Sequence, residues 1–276
     1  MPTLMHHIST IKKEIPPKYI REAQKWFYQD SVDSLRKIFN KLALIMDGEP
    51  AIRFADPEVL RILTTEKAFC DYNSETGNKG ALIFVDRDED GMITEEEMVK
   101  VGSLSNRADI NASIFNGNTV IETFHEFRYF TGLTKMNGTF TGCTSLREIT
   151  FPPITGNNTT VAAGGMFSQS GIRRVILPEG YTAIGENFCN GAQNCVLIDL
   201  PSTITSIGNG IIWLVKDKVT IVCRAITPPA LGGFGYNGYA KAIYVPDGSV
   251  DVYKTAPNWS NQSNKIYPLS QYIEIQ

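Results

Sequence analysis

The chain has 276 residues, of which 42% are hydrophobic and 20% are charged, and its formal net charge is -3. This composition is typical of a protein with one or two domains and lacks the basic stripe that marks most nucleic-acid-binding proteins. No stretch approaches the roughly 18 consecutive apolar residues that a membrane-spanning helix needs. We therefore expect neither a nucleic-acid partner nor a membrane span.

Residues 1–50 are predicted to form an irregular arm followed by an amphipathic helix. Between 18 and 45, apolar residues recur at spacings of three, four, seven or eight, which places them on one helical face: Ile20, Ala23, Phe27, Leu35, Ile38, Leu42 and Ile45. Pro17 suits the first helical position, and 48–50 end the segment. The apolar face either packs on a later segment of the same chain or serves self-association or docking to a larger assembly.

A second helical segment opens the next predicted unit, residues 51–107. Asp56 is a candidate N-cap, and Pro57 occupies the first helical position after it. Residues 70–80 are rich in Asn, Ser and Gly and are predicted to be a loop.

An acidic stretch in this unit matches the twelve-residue calcium loop of the EF-hand at its key positions. The predicted ligands of Ca²⁺ are the side chains or, at position 7, the backbone carbonyl of Asp86, Asp88, Asp90, Met92, Thr94 and Glu97. Gly91 permits the sharp turn at position 6. The alternative is an acidic turn and helix start without metal. Since residues 81–85 are short for an entering helix and no second loop exists for a sensor pair, we expect any bound calcium to be structural.

Five cysteines occur, at 70, 143, 189, 195 and 223, with no C-x-x-C pair. The odd number and the spacing argue against a zinc site or a complete disulfide framework. Cys143, Cys195 and Cys223 fall at or beside apolar positions of the repeats described next. They are therefore predicted to be small buried hydrophobes rather than reactive thiols.

A repeated apolar phrase occupies residues 140–246. Its apolar-x-apolar pairs recur at 26, 23, 21 and 24 residues, counted along Phe151, Leu177, Leu200, Ile221 and Val245. A period in this range predicts a solenoid, in which each copy adds one short strand and shares its core with the next. Residues 249–259 are predicted to form a short helix that caps the open end. The Gly-rich segment 233–238 has the spacing of a dinucleotide fingerprint, but without a following helix it is predicted to be a loop.

These residues resemble the BspA-like leucine-rich repeats of bacterial surface and phage proteins. The unit of that family matches an aromatic residue, a cysteine and an apolar pattern ending in proline, here Phe140, Cys143, Leu146, Ile149, Phe151 and Pro152. The segment 201–208 and the ending at 243–259 are similar to the family as well. The acidic loop and its flanks resemble the module that often precedes such repeats. The resemblance covers about 52–268, and it departs from the family in the insertion at 64–80.

The resulting expectation is an α+β chain with N-terminal helices, a single EF-hand-like loop, and a short leucine-rich-repeat β-solenoid with a C-terminal cap. Its predicted units are 1–50 (anchor or oligomerisation), 51–107 (EF-hand-like), 108–268 (repeats with cap) and 269–276 (tail).

The resemblance implies a non-enzymatic interaction protein that contacts a macromolecule or glycan, because only three histidines occur and none has a catalytic partner by spacing. The first 15 residues lack the apolar core of a secretory signal. This favours a virion fibre or decoration protein on the virion surface, assembled as a homo-oligomer or docked through 18–45. The alternative is a bacterial cell-surface adhesin. An enzyme of unknown class is the remaining, weakest reading.

Overall fold

A computed structural model describes residues 51–66, 69–71, 82–103, 114–133, 139–153 and 164–274. The predicted arm and helix of residues 1–50 lie outside these ranges. By compactness the chain divides into two units, one of 1–51 with 88–92 and one of 52–87 with 93–276. All described helices and strands belong to the second unit. No described helix has both the length and the apolarity needed to cross a membrane.

Helices are few and short in the described part of the chain. The α-helices are α1 (Pro57–Thr65), α2 (Glu95–Val99) and α3 (Val250–Thr255). Short 3₁₀ turns occupy His125–Tyr129, Asp247–Ser249, Trp259–Lys265 and Leu269–Gln271. The predicted helix at 249–259 is confirmed, although its α-helical part stops at Thr255.

Strands form most of the regular structure. In chain order they are β1 (Phe69–Asp71), β2 (Leu82–Ile83), β3 (Val101–Ser103), β4 (Thr123–Phe124), β5 (Glu148–Ile149), β6 (Arg174–Ile176), β7 (Ala183–Ile184), β8 (Leu197–Leu200), β9 (Ser206–Asn209), β10 (Thr220–Cys223), β11 (Ala230–Gly233), β12 (Ala242–Val245) and β13 (Ile266–Pro268). Helices and strands together confirm an α+β chain with a repeat domain.

The N-terminal cap of α1 has the predicted chemistry. Asp56 accepts a hydrogen bond from the backbone N–H of Glu58 at 2.9 Å, and Pro57 is the first helical residue. The second carboxylate oxygen of Asp56 accepts from the backbone N–H of Glu122 at 2.7 Å and of Thr123 at 3.3 Å. One buried side chain therefore caps α1 and ties it to the start of β4.

The segment before the acidic loop is a strand and not the entering helix of an EF-hand. Strand β2 pairs antiparallel with β1, which in turn pairs antiparallel with β3. The predicted loop from residue 70 is also wrong at its start, because Cys70 lies within β1. Two consecutive branched apolar residues, Leu82 and Ile83, suit a strand, and a two-residue strand here replaces any helical turn.

The repeats stack through a five-stranded parallel sheet in the order β13-β12-β10-β8-β6. Its inward row aligns equivalent side chains, namely Val175, Ile198, Ile221, Ile243 and Ile266, at offsets of 23, 23, 22 and 23 residues. The predicted spacings of 21 and 24 residues came from pairing Leu200 with Ile221. The structure instead pairs Leu200 with Cys223, so a cysteine holds the leucine position of that repeat.

A second parallel sheet and a row of turns repeat the same offset. Strands β7, β9 and β11 align Ile184, Ile207 and Leu231. Backbone hydrogen bonds join the turns of successive copies, for example from the N–H of Phe167 to the carbonyl of Phe188 at 2.8 Å. Each repeat therefore satisfies its backbone groups through its neighbours along three separate lines.

The stacking begins earlier than residue 140. Strand β4 pairs in parallel with β5, and Phe115, from the turn before β4, lies 5.5 Å from Phe140 between ring centroids. The aromatic row continues from Phe140 to Phe167 at 5.8 Å and from Phe167 to Phe188 at 5.4 Å. All four rings are fully buried, so the turns of successive repeats share one aromatic core.

Aromatic side chains from α3 and the following 3₁₀ turn close the C-terminal end of the stack. The Trp259 indole N–H donates to the carbonyl of Pro229 at 2.9 Å, and the Tyr253 hydroxyl donates to that of Ala225 at 2.8 Å. Their ring centroids are 5.0 Å apart. These polar contacts satisfy carbonyls of the last repeats while the rings cover their apolar core.

Close approach of successive repeats predicts a severe penalty for a side chain at Gly171. A Cβ built there would lie 2.1 Å from the carbonyl oxygen of Thr144 in the preceding copy, and the φ angle of Gly171 is not positive. We expect Gly171→Ala to lower the free energy of unfolding by about 3 kcal/mol, near the upper end of typical overpacking costs. Urea denaturation measures this change.

Gly248→Ala is the matched control, because a Cβ at Gly248 meets no atom within 4 Å and its φ angle is also not positive. We expect it to change stability by less than about 0.5 kcal/mol. Equal stability of the two variants would contradict the close repeat-to-repeat approach at Gly171.

Candidate metal loop and aromatic cleft

Three carboxylates of the acidic loop come together. Asp86, Asp88 and Glu97 each offer one oxygen, and these oxygens lie within 4.8 Å of one another. Asp86 is buried, whereas Asp88 and Glu97 are partly exposed. Three of the six predicted ligands are therefore grouped by their carboxylate oxygens.

Glu97 is also part of the start of α2. Its side chain accepts from the backbone N–H of Thr94 at 2.9 Å, while the Thr94 hydroxyl accepts from the backbone N–H of Glu97 at 3.3 Å. This reciprocal pair is a capping box. The other carboxylate oxygen of Glu97 accepts from the backbone N–H of Arg87 at 2.8 Å. Both oxygens of Glu97 thus hold the loop and the helix start together.

Asp90 and Met92 lie in the turn of the loop, outside the group of three carboxylates. The Asp90 carboxylate accepts from the backbone N–H of Met92 at 2.7 Å, and Asp88 accepts from that of Asp90 at 3.2 Å. Gly91 has a φ of 80°, a value that favours glycine. The side chains at positions 3 and 5 therefore shape the turn as well as offering oxygens.

A second notable feature is a cleft beside the Gly-rich turn after β11. The cleft has a volume of about 490 Å³ and is lined by residues of three separated segments, including Asn209, Trp213, Tyr236, Tyr239, Asn261 and Gln262. Tyr236 is 69% exposed and Tyr239 45% exposed, so both phenol rings are open to solvent. Exposed aromatic rings beside a concavity are typical of interaction surfaces.

Sequence reasoning missed this cleft. The turn 233–238 carried a weak glycine pattern, but nothing in the sequence places Trp213, one repeat earlier, or Asn261, from the cap, next to it. The repeat period would have aligned the turns of Trp213 and Tyr236, whose neighbour contact is the hydrogen bond from the N–H of Leu214 to the carbonyl of Tyr236 at 3.0 Å.

The outer face of the five-stranded sheet carries a paired charge. Arg224 donates two hydrogen bonds to Asp199, at 2.9 and 2.7 Å, and these raise the pKa of the guanidinium. Asp199 is buried, whereas the ends of its row, Ile176 and Tyr267, are exposed. The pair therefore neutralises a carboxylate in the middle of the sheet.

His125 has the local role predicted for it. Its Nδ1 lies 3.3 Å from the Thr150 hydroxyl, and its Nε2 lies 3.8 Å from a carboxylate oxygen of Glu148. These contacts join the 3₁₀ turn after β4 to the next repeat.

In-register parallel strands, linked turns and a shared core define a repeat domain. Comparison with known families agrees with this class: residues 109–216 match the BspA type leucine rich repeat region in six copies. The match supports the BspA-like leucine-rich repeat family for these residues. It begins before the phrase at Phe140, as the pairing of β4 with β5 does. The stacking continues beyond the match through β10, β12 and β13, and the acidic loop lies outside it. No curated protein matches the chain.

The four cysteines whose burial is described are all inside the protein, as predicted. Burial raises the pKa of the Cys143 thiol to about 12 and also raises those of Cys189 and Cys223. Cys143 donates to the carbonyl of Phe115, and Cys223 lies 3.3 Å from the Tyr253 hydroxyl. These thiols are core residues that remain protonated at neutral pH.

We expect Cys143, Cys189 and Cys223 to resist iodoacetamide in the folded protein at pH 8.5, because the thiolate is the reactive form and burial both disfavours it and blocks access. Peptide-level mass spectrometry would show labelling of these sites only at urea concentrations that unfold the chain. Free cysteine at the same pH is the control. Rapid labelling of Cys143 without denaturant would contradict its placement in the core.

Proposed function

We propose that this protein is a non-enzymatic attachment or interaction protein whose repeats form a short solenoid over 108–268. The observation that carries the proposal is the in-register stacking of five strands, with the turns hydrogen-bonded from copy to copy. Such stacking makes a rigid extended surface, and a rigid surface loses little conformational freedom when a macromolecule binds.

The residue chemistry of the cleft favours binding over catalysis. Its lining contains no Asp, Glu, His or Cys side chain. Acid–base and nucleophilic catalysis both need such groups within hydrogen-bonding reach of a substrate. The carboxylates of the acidic loop lie elsewhere in the sequence and are occupied with the turn and the start of α2. An interaction role therefore accounts for this surface better than an enzymatic one.

We further propose that the protein works in several copies, as a virion fibre or decoration protein does. The support is the apolar face predicted for residues 18–45, which suits self-association or docking to a larger assembly. Weak contacts made by each repeat domain would then add up through avidity. In this proposal residues 1–50 anchor the repeats and 51–107 connect the two parts. A bacterial cell-surface adhesin would use the same repeats with a different anchor.

The assembly proposal predicts that the full chain is oligomeric in solution and that a chain starting at residue 51 is monomeric. Size-exclusion chromatography with light scattering measures both masses. Leu35→Glu with Leu42→Glu should also give monomers, because each places a charge on the apolar face. Lys37→Glu, off that face, should leave the mass unchanged. A monomeric full chain would remove the assembly role of 18–45.

We also propose that the acidic loop binds one calcium ion with a structural role. The support is the donor chemistry, since Asp86, Asp88 and Glu97 present three carboxylate oxygens, the hard ligands that calcium prefers. Asp90, Met92 and Thr94 would complete the set as the loop motif arranges it. Because the oxygens of Glu97 already accept from Thr94 and Arg87, calcium would compete with the capping box for this side chain.

Calcium is therefore expected to raise the melting temperature and to release or absorb heat on titration. At a calcium concentration about 100 times the dissociation constant, the gain in stability is about 2.7 kcal/mol. Asp86→Ala and Glu97→Ala should abolish both responses. Glu95→Ala, an exposed acid of the same helix turn outside the ligand set, is the control. Identical calorimetry and melting with and without calcium in the unaltered chain would remove the site.

A further inference from the structure

We propose that the cleft beside the Gly-rich turn binds a pyranose ring of a glycan. The inference rests on the proposed function, to which it adds a ligand class and a location. The cleft is a space of about 490 Å³ between the turn 233–239, the turn of the preceding repeat at Trp213, and the 3₁₀ turn of the cap. This volume suits one or two sugar rings.

The aromatic side chains supply one half of the chemistry. A pyranose has a face of C–H groups that contacts an aromatic ring, surrounded by hydroxyls that need hydrogen bonds. Trp213, Tyr236 and Tyr239 line the cleft from two successive turns, and both tyrosine rings are open to solvent. An aromatic ring that stays exposed in the folded protein gains from covering its face, while its hydroxyl stays hydrated.

Carboxamides supply the other half. Asn209 and Asn261 line the cleft and are exposed, and within the described residues neither uses its side-chain amide in a hydrogen bond. An amide presents donors and an acceptor together, which matches a hydroxyl that both donates and accepts. Gln262, by contrast, is buried and committed, since it accepts from the N–H of Ala240 at 2.8 Å and donates to the carbonyl of Gly238 at 3.2 Å.

The walls of the cleft are held before any ligand arrives. Gly235 has a φ of 92°, and a Cβ there would lie 2.8 Å from the Cβ of Trp213, so the turn backbone rests directly on the tryptophan. Lys265 bonds the carbonyl of Ala240 at 2.6 Å and also pairs with Asp217. Fixed walls reduce the ordering cost of binding, which matters for ligands with weak individual contacts.

Other ligand classes fit this cleft less well. An extended peptide would pair with the edge strand β11, but the Asn258 side chain already occupies the carbonyl of Leu231 at 2.6 Å, and Trp259 packs beside it against Phe234. A bound sugar would not be hydrolysed here, because glycoside cleavage needs two carboxylates and the lining has none. The amino groups of Lys216 and Lys265 lie 5.9 and 5.7 Å from the centre of the Tyr239 ring. Acidic sugars therefore belong in the test beside neutral ones.

The test uses the full chain, gathered into multivalent complexes by an antibody to a terminal tag and applied to an array of immobilised neutral and acidic glycans. Avidity makes weak single-site binding measurable. Binding of a defined set of glycans is expected, and Tyr236→Ala and Asn261→Ala should each reduce it at least about tenfold. That factor corresponds to roughly 1.4 kcal/mol, within the range of one aromatic contact.

Tyr267→Ala is the matched control, since Tyr267 is an exposed tyrosine on the five-stranded sheet rather than in the cleft. It should bind as the unaltered chain does. Because Tyr236 and Asn261 are exposed, their replacement should leave the melting temperature unchanged, which separates lost binding from lost folding. Absence of glycan binding, equal binding by all variants, or loss only in Tyr267→Ala would overturn the proposed site. None of these results alters the oligomer measurement, which tests the attachment role independently.

Discussion

The structure depends on backbone hydrogen bonding from one repeat to the next. Each copy contributes only a strand of two to four residues and a turn, too little to satisfy its own N–H and carbonyl groups or to bury its own apolar side chains. The neighbour must therefore lie close and in register. That requirement explains Gly171, where a side chain would collide with the backbone of the preceding copy. It also explains why a cysteine suffices at position 223, where the adjoining copies complete the packing.

A stack of this kind has two open ends, and the chain covers both with non-repeating structure. At the beginning, Asp56 bonds both to the first turn of α1 and to the backbone at β4. At the end, Trp259 and Tyr253 bond carbonyls of the last repeats and cover their apolar side chains. Capping is a general need of repeat domains, because an exposed terminal repeat would present apolar core and unpaired strand edge.

The caps also shape the candidate sites. The cleft exists because the C-terminal 3₁₀ turn stands next to the last turns of the stack and forms a third wall. The acidic loop is closed by the capping box of Thr94 and Glu97, which fixes one carboxylate near Asp86 and Asp88. In both places the chemistry comes from irregular segments, while the regular elements supply position. This division is usual in proteins whose loops carry function on a rigid scaffold.

Local patterns in the sequence determined the repeat period, the cap of α1, the C-terminal helix and the burial of the repeat cysteines, because each depends on residues near one another in the chain. Tertiary structure alone decided the strand register, since Ile221 and Cys223 both read as apolar and only pairing with β8 assigns them. It likewise decided that residues 82–83 form a strand, because their partner lies in β1. The cleft was beyond sequence reasoning for the same reason: Trp213, Tyr236 and Asn261 meet only through stacking and capping, and no short-range pattern encodes that meeting.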